Sequence, residues 1–330
     1  MSLAAVRAGK DVCCEKPLTR TIAEGRILSD AVAKHARVFR TDSEFRSIAT
    51  FHRACELVRN GRIGKLHTIR VGVPKGDEAL GQQPAAPVPE ELDYARWLGP
   101  APAAPYTEKR VHPPHGYGRP GWMRVRDYCD GMITNWGAHL NDVAQWGNDT
   151  DRTGPVEVEG TGRIPPASGL WNVLLEFEVT YRYANGVKLI YQTERPYVRF
   201  EGSEGWIYAE YGKKLEARPE SVLTAKIGPD EVRLVFKNEK RDFIDAVKTR
   251  GRTVEDAEVG HRTTSLCHLG HIAVRLGEKL RWNPQTERFV ANDRANGMLG
   301  WPGGQSRRIT TVDPGQAHPG LSGRRGRVRR

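Results

Sequence analysis

A lysine near the start of the chain and a histidine more than a hundred residues later stand in surroundings suited to handling a proton at a hydroxyl group. Lys16 belongs to the triplet Glu15-Lys16-Pro17, delivered by the short apolar run Val12-Cys13-Cys14. Open α/β sheets bind ligands outside the carboxyl ends of their strands, so an ammonium placed there can meet both a cofactor and a substrate. His139 lies in Gly137-Ala-His139-Leu-Asn-Asp142, where Ala138, Leu140, Val143 and Trp146 recur at helical spacing and Gly147 makes a stop. Asn135, His139 and Asp142 fall at i, i+4 and i+7 and therefore share one helix face. An amide and a carboxylate one turn to either side of a histidine can fix its tautomer and set its basicity. A half-buried packing histidine would show the same spacing, which alone does not choose between the two.

Two other constellations weigh less. Gly116-Tyr-Gly118-Arg-Pro-Gly121 matches the dinucleotide pattern letter for letter, but its lead-in, Val111-His-Pro-Pro-His115, is no apolar strand. Pro120 also removes an amide that a phosphate cradle would use. His112, His115, His139 and Asp142 could in principle ligate zinc. The first two sit in a Pro-rich loop without i,i+4 helical spacing and no cysteine pair is near, so no metal site is expected.

The elements that must position these groups follow from periodicity. Residues 21–34 carry a helical apolar pattern behind Thr21-x-x-Glu24, a capping box, and Val38 to Thr41 returns as a strand. Strand, helix, strand is the closing part of a parallel βαβ sheet. A second helix spans 48–60 and stops at Gly61. From Lys65 the period changes to two, with strands predicted at 65–73, 156–159, 171–183, 188–192, 198–202, 206–211 and 232–236. Asn185-Gly186 between two apolar runs marks a hairpin. A Pro-rich loop fills 74–126, and helices are predicted at 241–249 and 254–277. The expected fold is an α/β remnant of a Rossmann-type parallel sheet over 1–64, then an α+β domain with a large open, mainly antiparallel sheet over 65–297. A basic, disordered tail is expected at 298–330.

Composition narrows the classes. With 330 residues, 38% hydrophobic and 28% charged, the chain suits two globular domains. No apolar run approaches the ~20 residues that cross a bilayer, so no membrane partner is expected. Five scattered cysteines, an odd number, read as free thiols and favour a reducing, cytoplasmic compartment. Of the net charge of +11, residues 306–330 supply +6 through seven arginines against Asp313. The rest of the chain intersperses both signs, which argues against nucleic-acid binding.

Taken together, Gly9-Lys-Asp-Val-Cys-Cys-Glu15-Lys16-Pro17-Leu-Thr19 and Gly137-Ala-His139-Leu-Asn-Asp142 resemble the Gfo/Idh/MocA family of NAD(P)-dependent oxidoreductases acting on sugars and polyols. Ala54-Cys-Glu-Leu-Val-Arg-Asn-Gly-Arg-Ile-Gly64, Trp97-Leu-Gly-Pro-Ala-Pro102, Arg199-Phe-Glu-Gly202, Glu204-Gly-Trp206, Gly260-His-Arg and Cys267-His-Leu-Gly extend the likeness from about residue 3 to about residue 297. The resemblance implies NAD or NADP as cofactor, with Glu15, Lys16 and Pro17 against the nicotinamide. Lys16 would stabilise a developing alkoxide and His139 would take the hydroxyl proton. Many members have an aspartate where Asn135 stands, and an amide orients a histidine without stabilising its charged form. Arg126, Asp127, Tyr128 and Trp136 flank the same pocket in sequence and are the expected substrate contacts.

Members of the family carry a glycine-rich turn and further strands ahead of this point. None precedes Asp11 here, so the chain is expected to be truncated at its N-terminus and to bind cofactor weakly. The open sheet is expected to support a homo-oligomer. The expected function is hydride transfer between NAD(P) and a hydroxyl of a sugar, polyol or glycoside. Its rivals are a non-catalytic sugar-binding or oligomerisation module and a keto-glycoside eliminase or hydratase using the same Lys16 and His139.

Overall fold

The computed structural model describes residues 1–111, 120–212 and 214–301. In chain order the elements are α1 (Ser2–Arg7), β1 (Val12–Glu15), α2 (Ile22–Lys34), β2 (Phe39–Asp42), α3 (Ala49–Arg59), β3 (Leu66–Val73), α4 (Tyr94–Leu98), α5 (Met132–Asn135) and α6 (Gly137–Gly147). They continue with β4 (Glu157–Arg163), β5 (Glu176–Arg182), β6 (Lys188–Thr193), β7 (Tyr197–Gly202), β8 (Gly205–Glu210), β9 (Lys214–Arg218), α7 (Glu239–Thr249), α8 (Ala257–Leu276), β10 (Leu280–Asn283), β11 (Arg288–Phe289) and α9 (Asp293–Asn296).

Thr21 caps α2 by accepting the Glu24 N–H at 3.2 Å, and α2 buries Leu28 and Val32 against Val6, Leu18 and Phe39. That packing sets β1 beside β2 as a parallel pair, from Val12–Phe39 to Glu15–Asp42. The large sheet runs β11-β10-β4-β5-β6-β3-β7-β8-β9 and is antiparallel throughout except where β3 meets β6. Its register lines up one apolar row across eight strands: Leu280, Val158, Tyr181, Leu189, Ile69, Phe200, Ile207 and Ala217. A period of two puts that row on one face, and burying it holds α3, α6 and α8 against the strands. The opposite face, where a homo-oligomer is expected, carries half-exposed Arg70, Arg199, Glu201, Trp206 and Tyr208.

Two buried phenols tie the helices to the apolar face. Tyr191 donates to the Ile133 carbonyl and Tyr181 to the Leu266 carbonyl, each at 2.8 Å. Gly137 is required at the first of these anchors, because a Cβ there would lie 2.5 Å from the Tyr191 hydroxyl.

Several expectations change. The helix around His139 is divided at Trp136, which keeps right-handed backbone (φ −87°, ψ −29°) between α5 and α6. Residues 232–236 join no strand: Asn60 brackets Val232 through its N–H and carbonyl at 2.9 and 2.8 Å, and His52 bonds the Leu234 carbonyl at 2.9 Å. The alternation there records a strip pinned along α3 by side chains, not a ladder. The long loop contains α4 and a 3-10 turn at Gly121–Arg124. The cysteines are free, Cys13 exposed and Cys55, Cys129 and Cys267 buried. Among the described residues no helix is long and apolar enough to cross a membrane.

Candidate active site

Lys16 follows β1 directly, and the Lys16–Pro17 bond is cis. Its ammonium donates to Asn135 Oδ1 at 2.7 Å and to the Asn135 carbonyl at 3.0 Å. Two of its three N–H groups are thereby committed to the end of α5, leaving one for a ligand oxygen. Burial lowers its pKa from the usual lysine value, with Glu15 opposing. Asn135, expected to orient His139, instead holds Lys16.

His139 is fixed from the other side. Its Nδ1 hydrogen-bonds the Ser43 carbonyl, which can only accept, so Nδ1 carries the proton and Nε2 is left as an acceptor. The Phe45 ring stacks on the imidazole at 4.5 Å. Burial, and then the Lys16 charge, hold the histidine down to about pKa 3, so the ring is neutral at physiological pH. Such a ring accepts a hydrogen bond from a hydroxyl readily and keeps a proton only transiently. A developing alkoxide beside it would raise its proton affinity.

Asp142 does not face His139. It is fully buried and chelates Arg46, with Oδ2 to Nε at 2.7 Å and Oδ1 to Nη2 at 2.6 Å. A bidentate guanidinium outcompetes an imidazole for a buried carboxylate, which is why helical spacing misassigned its partner. Ser43, the acceptor for His139, donates through Oγ to the buried Glu255 at 2.7 Å. Burial, with Asp142 adding to it, raises the Glu255 carboxyl well above the usual carboxylate range.

Lys16, Thr19, Arg20, Trp122, Tyr128 and His268 line a cleft of about 250 Å³. Of the expected substrate contacts only Tyr128 borders it. Arg126 and Asp127 border a neighbouring cleft of about 220 Å³. Trp136 meets Phe45 and Tyr211 edge-on at 6.4 and 5.4 Å. Between the clefts lies Asp130, which takes Arg20 at 2.8 Å and His268 and His271 at 3.1 Å each. Burial alone would push this carboxyl up; His271 and Arg20 hold it well below the usual range. Sequence reasoning missed this cluster, although His268 and His271 stand at i,i+3 on α8 and so share a face. A larger groove of about 690 Å³ opens at the rim of the big sheet near Lys75, Arg163 and Glu178, and none of these groups reaches it.

No group of three or more His, Cys, Asp or Glu side chains among the described residues could hold a metal. Residues 112–119, with His112, His115 and most of the Gly116 to Gly121 pattern, and residues 302–330 of the tail lie outside the described residues. An ammonium with one N–H uncommitted and a neutral imidazole with Nε2 free, both among the described residues, and Glu15 exposed at a strand end fit the reacting end of a nicotinamide nucleotide. Among the described residues no glycine-rich turn follows a strand to hold its pyrophosphate.

A parallel βαβ unit whose Lys-Pro end faces a large mixed sheet is the architecture of a Gfo/Idh/MocA-type oxidoreductase. Residues 75–308 match the family model described as oxidoreductase family, C-terminal alpha/beta domain, and the chain belongs to that family. A curated relative, 1,5-anhydro-D-fructose reductase of Ensifer adhaerens, is 37% identical over 70 residues, which span 21% of this chain and 21% of the reductase. GenD2 from gentamicin A biosynthesis, solved in complex with NAD, superposes with a TM-score of 0.58 at 17% identity over 86% of this chain and 74% of that one. Aldose-aldose oxidoreductase from Caulobacter crescentus, complexed with glycerol, gives 0.59 at 18% identity over 85% and 74%. At these identities the two structures establish the fold alone.

Proposed function

We propose that the chain handles a hydroxyl or carbonyl of a sugar, polyol or glycoside in NAD(P)-linked hydride transfer, with Lys16 and His139 at the reacting centre. The observation that carries this reading is an Asn135-clamped ammonium whose charge reaches a histidine of fixed tautomer, the Nε2 of which is unengaged among the described residues. A bound nicotinamide supplies the acceptor or donor of the hydride. Glu15, Lys16 and Pro17 form the surface against that ring. In the oxidative direction Lys16 donates its remaining N–H to the substrate oxygen and His139 Nε2 takes the hydroxyl proton as the carbonyl forms; reduction reverses both moves. Tyr128 borders the substrate cleft, Arg126 and Asp127 lie one wall away, and Asn135 and Asp142 act by positioning.

The sugar class is supported by the reductase and the aldose-aldose oxidoreductase that the chain resembles. The test is a screen of aldoses, ketoses and polyols for nicotinamide oxidation or reduction. Lys16→Met and His139→Asn are each expected to lower kcat/KM by ~10²- to 10⁴-fold while leaving nucleotide affinity within a few-fold. Turnover undiminished in Lys16→Met would contradict the assignment. Conversion of a keto-glycoside without nicotinamide would favour the eliminase reading.

A further inference from the structure

The cleft beside Asp130 contains a cation that its surroundings do not neutralise. Arg20, on one wall, is satisfied by Asp130 at 2.8 Å and by the Arg126 carbonyl. Arg126 itself is half-buried, and its Nε is buried without a hydrogen-bond partner among the described residues. Its charged neighbours are Arg275 and Arg20, which repel it, and Asp130 and Asp127, which attract it. Asp130 is already engaged by three donors, and Asp127 is exposed and makes no ion pair with Arg126 among the described residues. Burial, and next Arg275, lower the Arg126 pKa from the usual guanidinium value. A partly desolvated guanidinium with a bare N–H is costly, and a planar two-oxygen anion is the ligand whose geometry it matches.

We infer that this cleft, with Arg126 as its principal donor and Arg20 and His271 on its walls, binds an oxyanion, the carboxylate or phosphate group of an acidic sugar. At about 220 Å³ the space exceeds what a lone ion fills, and Ile272, Met298 and Trp301 offer an apolar side to the carbon skeleton. Arg20, Asp130 and His268 also line the Lys16 cleft, so the anion site and the reacting centre share one wall. That the anion belongs to a substrate rests on the function proposed above; the anion site does not.

The experiment is calorimetric titration of the full chain with inorganic phosphate, D-glucuronate and D-glucose, read as affinity and not as turnover. Phosphate and glucuronate are expected to bind saturably and to displace each other, with glucose at least tenfold weaker. Arg126→Gln should weaken both anions at least tenfold without lowering the melting temperature of the unliganded protein, because it removes an unpaired charge. Arg126→Lys should recover part of the affinity, and Lys16→Met should leave phosphate binding intact, which separates this site from the catalytic assignment. Phosphate binding without glucuronate binding would support the oxyanion site and overturn a sugar carboxylate as its source. Failure of both anions to bind, or unchanged phosphate affinity in Arg126→Gln, would overturn the site.

Discussion

His139 has its proton state decided by its neighbours. Its folded pKa of about 3 lies below the ordinary histidine value, so between those limits the unfolded chain binds a proton that the folded chain refuses. Stability from this group is therefore complete above pH ~6.5 and falls by up to ~1.4 kcal/mol for each unit below it. Thermal unfolding followed from pH 6.5 to 4.5 should show a shallower acid loss in His139→Asn than in the parent; equal slopes would mean that the ring protonates freely in the folded state. Burial lowers His271 in the same direction, which is why the comparison is made between variants. At this scale Lys16 and His139 stood out as candidates only through the family resemblance, because helical spacing by itself does not separate His139 from a packing histidine. The partner of Asp142 was not legible, because Arg46 is 96 residues away and only the fold brings the two together.

The site depends on where three elements end: the carboxyl end of β1, the end of α5, and the start of α6. Gly137 opens α6 and packs where a methyl group would meet Tyr191 at 2.5 Å and Cys267 at 2.7 Å. Gly137→Ala is expected to lift α6 from the sheet and cost ~1–3 kcal/mol, seen as a lower urea midpoint at unchanged slope, together with weaker ligand binding because Asn135 and His139 move. A neutral result would show that α6 has room the packing denies. Most elements were readable because amphipathic periods of 3.6 and 2 extend over enough residues, as in α2, β5 and the Asn185-Gly186 hairpin. The strands β10 and β11 are too short to display a period. The pinned strip at 232–236 alternates like a strand although side chains of α3 and of Asn60 just after it, not a neighbouring strand, take its backbone groups.

At the scale of the whole molecule, a two-stranded parallel unit presents a lysine to a nine-stranded sheet and its helices, and the chain is a member of the Gfo/Idh/MocA oxidoreductases. The architecture was legible because its two parts change hydrophobic period at Lys65. The Arg126 cleft was not, since α8, the 20–22 segment and Trp301 meet there only after folding. The Lys16 end of β1 is proposed as the seat of nicotinamide chemistry. The direct test is to titrate the full chain with NADH and NADPH, following nicotinamide fluorescence alongside the melting temperature. Saturable binding of at least one of them is expected, with nicotinamide emission altered by Lys16→Met. A cooperatively folded chain that changes neither the emission nor its own melting temperature with either nucleotide would contradict the proposal.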